Sequence, residues 1–287
     1  MSDEYMGIQE YLDKIKDESE ERFNNFDIEE IGSKSIKYIS DNAYLEKPVW
    51  LGGDNKYVCL FIDLDNSSKL SFKKHPATMA KIYDYFTQNI VNIMSEGGIN
   101  ADYIDIKGDG AFGIFEGENA VWKALCCAAT FKTFFDKYIR KKFQTDSDII
   151  NCKMAIDIDK ILVRKLGKKG DKNNNEVWAG RVVNNTAKIS SLANEIYDKD
   201  AGINKNSRSL VIISDKIYSK LFEKQNYTII SCGCDGSGVK TNKANIWREY
   251  NCSDNNNVNC EKVYYTSTQW CDIHGDEYMS EILKKNN

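Results

Sequence analysis

The chain has no excess of either charge, no long apolar run and almost no proline. Lys+Arg 39 against Asp+Glu 43 leaves a formal net charge of −4. That balance provides no broad basic face to neutralise a row of phosphates, which argues against general nucleic-acid binding. A small anionic substrate stays open, because a few lysines in a pocket suffice. Apolar runs such as Val58–Ile62 are far short of the ~20 residues needed to cross a bilayer. The opening segment 1–14 has no apolar signal core, so the expectation is a cytoplasmic protein without a membrane partner. The two prolines, Pro48 and Pro76, carry no chemical message.

What is present is a core. With 41% hydrophobic and 11% aromatic residues, 287 residues suffice for one large domain or two small ones. Nine cysteines in an unexported chain read as thiols or metal ligands rather than disulfides. Met6, Ile8, Tyr11, Leu12 and Ile15 recur at helical spacing within residues 5–24, predicting an amphipathic helix with one buried face. A loop with Pro48 and Gly52-Gly53 then leads to the main body.

Tyr57–Ile62 is an apolar run ending in acids, as in a buried strand. Pro76 opens a helix with Met79, Ile82, Tyr83, Phe86, Ile90, Ile93 and Met94 on one face, closed by Gly97-Gly98. Tyr103–Lys107 and Ala111–Phe115 flank Gly108-Asp109-Gly110, a hairpin signal. A long helix over about 119–143 and the alternating strand Cys152, Met154, Ile156, Ile158 follow. In order this is β-α-β-β-α-β, the unit of a ferredoxin-like α+β fold. Further strands are expected at 160–166, 209–213, 227–231 and 244–250, with a short helix at 214–222 and an exposed loop at 168–175. The expected organisation is a helical segment and linker over 1–50, a catalytic domain over 51–250, and a polar, cysteine-bearing tail over 251–287.

Two acids stand out by position. Asp63 ends the first buried strand and Asp109 sits in the hairpin turn, so this topology brings both to one end of the sheet. Two carboxylates without a basic neighbour repel unless a proton or cation separates them, and a hard divalent ion such as Mg²⁺ or Mn²⁺ fits. Alternatively Asp63 caps a loop and Asp109 merely serves the turn. A third segment places Asn184 and Lys188 four residues apart, on one face of a helix beginning near Gly180.

Together, Phe61-x-Asp63, Gly108-Asp109-Gly110 and Gly180-x-x-Val183-Asn184-x-x-x-Lys188 resemble, in order, the three motifs of the class III nucleotide cyclase catalytic domain over roughly residues 55–250. The resemblance implies that Asp63 and Asp109, helped by the Leu64 carbonyl, bind two Mn²⁺ or Mg²⁺ ions. It implies that Asn184 orients the ribose and Lys188 stabilises charge on the α-phosphate. The family has Arg where Lys188 stands, and lysine lacks the bidentate fork. Asp65, Asn66, Ser67 and Ser68 lie where relatives wrap backbone amides around the terminal phosphates, and Lys240 or Lys243 matches a phosphate-binding lysine. A homodimer with shared active sites is implied as well, since in the family the metal acids of one chain face the Asn and Arg of the other.

The base-reading pair departs from the family. Adenine readers carry Lys and Asp, and guanine readers Glu and Cys, where this chain has Asp105 and Glu176 or Val177. Asp105 would reject the acceptor N1 of adenine yet accept from uracil N3–H, the cytosine amino group or guanine N1–H; bulky Tyr103 or Trp178 would then have to narrow the pocket against purines. The neighbourhood of Phe61–Lys69 is similar to the pyrimidine cyclases of the bacterial Pycsar anti-phage systems. That implies UTP, then CTP, as substrate, and a separate effector gated by the cyclic product. Two rivals are a GGDEF-type diguanylate cyclase, which wants adjacent acids in its hairpin, and a cyclase-fold binding module that has lost catalysis. In the tail, Cys252, Cys260, Cys271 and His274, with Cys232 and Cys234 nearby, are either free thiols or ligands of a structural zinc.

Overall fold

The computed structural model describes residues 7–25, 29–30, 35–36, 38, 49–51, 56–145, 148–166, 175–200, 202–203, 209–223, 232–235, 237, 245–253, 255 and 258–285. Its elements run α1 (Ile8–Asn24), β1 (Glu29–Glu30), β2 (Val49–Leu51), β3 (Tyr57–Asp65), α2 (Ser67–Lys73), α3 (Pro76–Ser95), β4 (Tyr103–Lys107) and β5 (Gly110–Phe115). Next come α4 (Ala120–Phe134), prolonged by a π-helical turn Phe135–Ile139 and a last turn Arg140–Phe143, then β6 (Asn151–Asp159), β7 (Ile161–Leu166) and β8 (Asn175–Ala179). The chain closes with α5 (Arg181–Ser191), α6 (Ala193–Lys199), β9 (Leu210–Ser214), α7 (Asp215–Glu223), β10 (Arg248–Asn251), β11 (Lys262–Thr266) and α8 (Gly275–Lys285).

The expected β-α-β-β-α-β unit is β3-α3-β4-β5-α4-β6. Its strands lie in the order β6-β3-β5-β4, antiparallel throughout, within a seven-stranded sheet β10-β11-β9-β6-β3-β5-β4. A second sheet runs β1-β2-β7-β8. Helix α3 starts where Pro76 occupies the first turn and His75 Nδ1 accepts from the Ala77 N–H, at 3.3 Å. Its buried stripe is Met79, Ile82, Phe86, Ile90 and Met94. Phe86 meets Phe131 and Phe135 edge-on, at 5.3 and 6.0 Å between centroids, in the main core between the sheet and helices α3 and α4. Burying each such side chain contributes roughly 1.5–3 kcal/mol.

Four expectations need correction or lie out of view. None of the residues of α1 is buried, and Ile8, Tyr11, Leu12 and Ile15 are all exposed: the apolar stripe exists, but no described element packs on it. The segment between Pro48 and Gly52 is strand β2 rather than plain loop, because it pairs with β7. Residues 251–287 are not a polar tail. β11 inserts between β10 and β9 in the main sheet, burying Val263 and Tyr265, and Ile282 of α8 reaches the main core. Alternation in Lys262-Val-Tyr-Tyr-Thr266 carries that strand. The expected strand at 227–231 and most of the loop at 168–175 lie outside the described residues, while Asn175 opens β8.

Candidate active site

Strand alternation decides which side chains meet. On β3, Tyr57, Cys59 and Phe61 pack into the core beneath β7, β8 and α5, so Asp63 and Asp65 continue that face. Opposite Asp63 the register places Gly110 of β5 on one side and Lys153 of β6 on the other. Asp105 of β4 pairs with Phe112, again on this face. The acids therefore collect at one end of one sheet face, away from α3 and α4.

Asp63 fits there only because residue 110 has no side chain. A Cβ on Gly110 would stand 2.7 Å from Asp63 Oδ1 and 2.7 Å from the Ile62 carbonyl oxygen. Asp109, half-buried in the turn before it, has its Oδ2 buried with no hydrogen-bond partner among the described residues. Burial raises the Asp63 carboxyl above its usual range; the nearby Lys153 opposes this, and the charges of Asp109 and Asp65 add to the rise. Asp65 is raised by burial too, against Lys153 and hydrogen bonds from Asn66 and Asn194.

The sequence suggested two acids without a basic neighbour. The structure supplies one, as Lys153 Nζ lies 3.0 Å from Asp63 Oδ2. A lysine near the start of β6, among Cys152, Met154, Ala155 and Ile156, was the available signal. The group still fits a divalent cation: it combines two close carboxylates, an unpartnered buried oxygen and a gap kept open by glycine.

Around this centre the remaining candidates divide. Asn66, left-handed at φ 55°, donates to Asp65 Oδ2 at 2.8 Å, and Ser67 and Ser68 form the first turn of α2 beside it. Asp105 pairs with Lys107 at 2.7 Å. Two residues along β4, Tyr103 stacks on Trp178 of β8, centroids 3.9 Å apart, and Trp178 is buried. Glu176 lies in β8 and Val177 is exposed. Leu64 is buried between its β6 neighbours. Lys240 and Lys243 fall outside the described residues.

Helix α5 needs Gly180. Its φ is +108°, and a Cβ there would lie 2.8 Å from the Leu162 backbone nitrogen. Val182, Val183, Thr186 and Ile189 turn inward, leaving Asn184 and Lys188 exposed on the outer face. Neither is hydrogen-bonded or ion-paired to Asp63 or Asp109 among the described contacts within this chain. The adjacent Asn185 plays a different part. It is buried, donates to Asp157 Oδ2 at 2.8 Å, and accepts from the Asn259 N–H at 2.8 Å.

The expected thiol set is rearranged. Cys252 and Cys260 face one another, Sγ to Sγ 3.8 Å, in the core around β9–β11, where burial raises both thiols. Cys271 and His274 gather instead with Cys232 and Cys234, one ligand atom of each within 4.8 Å of the others.

Among known proteins, the chain is 28% identical over 293 residues to a protein of Propioniciclava tarda named uridylate cyclase, covering 99% of this chain and 86% of the relative. A uridylate cyclase of Micromonospora echinofusca is 26% identical over 239 residues, covering 79% of this chain and 69% of the relative. No family model matches. A bacterial light-regulated adenylyl cyclase superposes with a TM-score of 0.53 at 10% identity, over 98% of this chain and 73% of that one, which is a likeness of fold. By sequence, then, the chain is similar to curated proteins named uridylate cyclase, and by fold to an adenylyl cyclase.

Proposed function

We propose that this chain is a nucleotide cyclase that converts UTP, and less readily CTP, to the 3′,5′-cyclic nucleotide and pyrophosphate. The observation that carries the proposal is Asp63 set against the bare backbone of Gly110, near Asp109, whose buried Oδ2 has no hydrogen-bond partner among the described residues. In the reaction the ribose 3′-oxygen bonds to the α-phosphorus as the bond to the β-phosphate oxygen breaks. Asp63, Asp109 and the Leu64 carbonyl would hold two divalent ions, Mn²⁺ or Mg²⁺. Such ions, when bound, stabilise charge on the attacking and leaving oxygens. Asp65 and Asn66 order the turn that leads to Ser67 and Ser68, whose amides face the terminal phosphates in this reading; Lys240 or Lys243 supplies a further charge.

Asn184 and Lys188 face outward on α5, so they serve the site of a second copy: the active unit is a homodimer with two shared sites. Asn184 then orients the ribose and Lys188 offsets charge at the α-phosphate. Asp105 accepts from the pyrimidine edge, and the Tyr103–Trp178 stack limits pocket width. The product serves as a second messenger in anti-phage defence, read by a separate cyclic-nucleotide-gated effector. The test is one reaction containing all four nucleoside triphosphates and Mn²⁺, read by mass spectrometry. A clear excess of cyclic UMP is expected. Excess cyclic AMP or GMP overturns the pyrimidine assignment alone, a cyclic dinucleotide points to a diguanylate cyclase, and no product leaves a binding module.

A further inference from the structure

The thiol cluster lies far along the chain from the acids, and it joins two segments separated in the chain by strands β10 and β11. Cys232 and Cys234 come from the stretch before β10; Cys271 and His274 come from the turn that leads into α8. Cys234 Sγ stands 3.2 Å from Cys271 Sγ, and Cys271 Sγ stands 3.8 Å from His274 Nδ1. A tetrahedral ion with metal–sulfur bonds near 2.3 Å and a metal–nitrogen bond near 2.0–2.1 Å places its ligand atoms about 3.6–3.8 Å apart. The four atoms already lie close to that spacing, all within 4.8 Å of one another.

The backbone N–H groups of Ile273 and His274 donate to Cys271 Sγ, and the Lys137 ammonium, paired with Asp272, is near enough to interact with the Cys271 charge. Three thiolates and one neutral imidazole around a doubly charged ion leave a single negative charge, beside the Lys137–Asp272 pair. On its inner side the cluster borders a cavity of about 120 Å³ lined by Leu125, Ala129, Trp247, Trp270 and Ile282. From these contacts we propose that Cys232, Cys234, Cys271 and His274 form a structural zinc site that ties the segment before β10 to the start of α8. With four protein ligands the site is closed, so it holds structure and has no open position for a substrate.

The test is the metal content of the full-length protein expressed in zinc-supplemented medium. One zinc per chain is expected, retained in Asp63→Ala and Cys252→Ser and lost in Cys271→Ser and His274→Ala. Replacing zinc with Co²⁺ in the wild-type chain should give strong tetrahedral bands and a thiolate-to-cobalt absorption in the near ultraviolet, a readout independent of whether a variant folds. Stripping the metal should lower the melting midpoint. Substoichiometric zinc in wild type, zinc retained in soluble Cys271→Ser, or a Cys234–Cys271 disulfide found by mass spectrometry would each overturn the site. The result is independent of cyclase activity.

Discussion

Gly110→Ala isolates the geometry of the acid pair without touching an acid. The new methyl carbon would stand 2.7 Å from Asp63 Oδ1 and from the Ile62 carbonyl, 0.7 Å inside the 3.4 Å at which ordinary contact begins. Neither obstacle is the loose end of a long side chain, so the strand pair must open or the Asp63 carboxylate must turn away. Overpacking of this kind costs about 1–3 kcal/mol. Displacing a reacting group by ~1 Å costs about 10²-fold in rate. Gly113→Ala is the matched control. It lies on the opposite face of the same strand, where the nearest atom is the flexible Met94 Sδ at 2.9 Å. Both variants are to be compared by thermal melting and by kcat/KM for cyclic nucleotide formation. Gly110→Ala is expected to lose about two orders of magnitude in kcat/KM, and Gly113→Ala to stay within a few-fold of wild type. Wild-type turnover in Gly110→Ala would refute the tight Asp63–Gly110 approach as the basis of the site, and equal losses in both would reduce it to general destabilisation.

Asp63→Ala, Asp109→Ala and Lys188→Ala should each be inactive alone, with melting midpoints near wild type. Mixing Asp63→Ala with Lys188→Ala should restore activity through dimers holding one intact site, and no recovery at high protein concentration would disprove shared sites. The neighbours Asn184 and Asn185 should separate by assay: Asn184→Ala loses turnover at unchanged stability. Asn185→Ala leaves the buried Asp157 short of a donor and should lose roughly 1–3 kcal/mol in denaturant unfolding.

The frame of the molecule could be read from local pattern because each element of the β3–β6 unit carries its own signal. Val58–Ile62 is a run too apolar for a surface strand, Pro76 and Gly97 bracket a helix, and Gly108-Asp109-Gly110 marks a hairpin. Asp63 and Asp109 followed from that frame. Lys153 did not, because its meeting with Asp63 depends on β6 lying beside β3, a pairing between residues ninety positions apart. For the same reason the final strand was missed: Lys262–Thr266 alternates correctly, but its polar flanks hide it until β9 offers an edge. The thiols show the limit most plainly, since sequence proximity put Cys252 and Cys260 with Cys271, whereas folding put Cys232 and Cys234 there.

Register ties the chemistry to the core. Val58, Leu60, Ile62 and Leu64 point to the helices α3 and α4, so Asp63 and Asp65 must point the other way. A slip of β3 by a single residue would turn four buried aliphatic side chains to the wrong face and carry Asp63 into the helical core. Both faces of β3 are buried, so that slip would misfit the packing on each side and leave the Asp63 carboxylate without a partner among apolar side chains. The apolar residues therefore fix the position of the acids more firmly than any contact the acids make themselves. The π-helical turn, α8 and the thiol cluster all lie behind the opposite face, against α4. A substitution in the cluster reaches Asp63 only through the sheet, in which β11, β9 and β6 stand between β10 and β3. Loss of the metal should thus lower the melting midpoint well before it changes the ratio of cyclic nucleotide products.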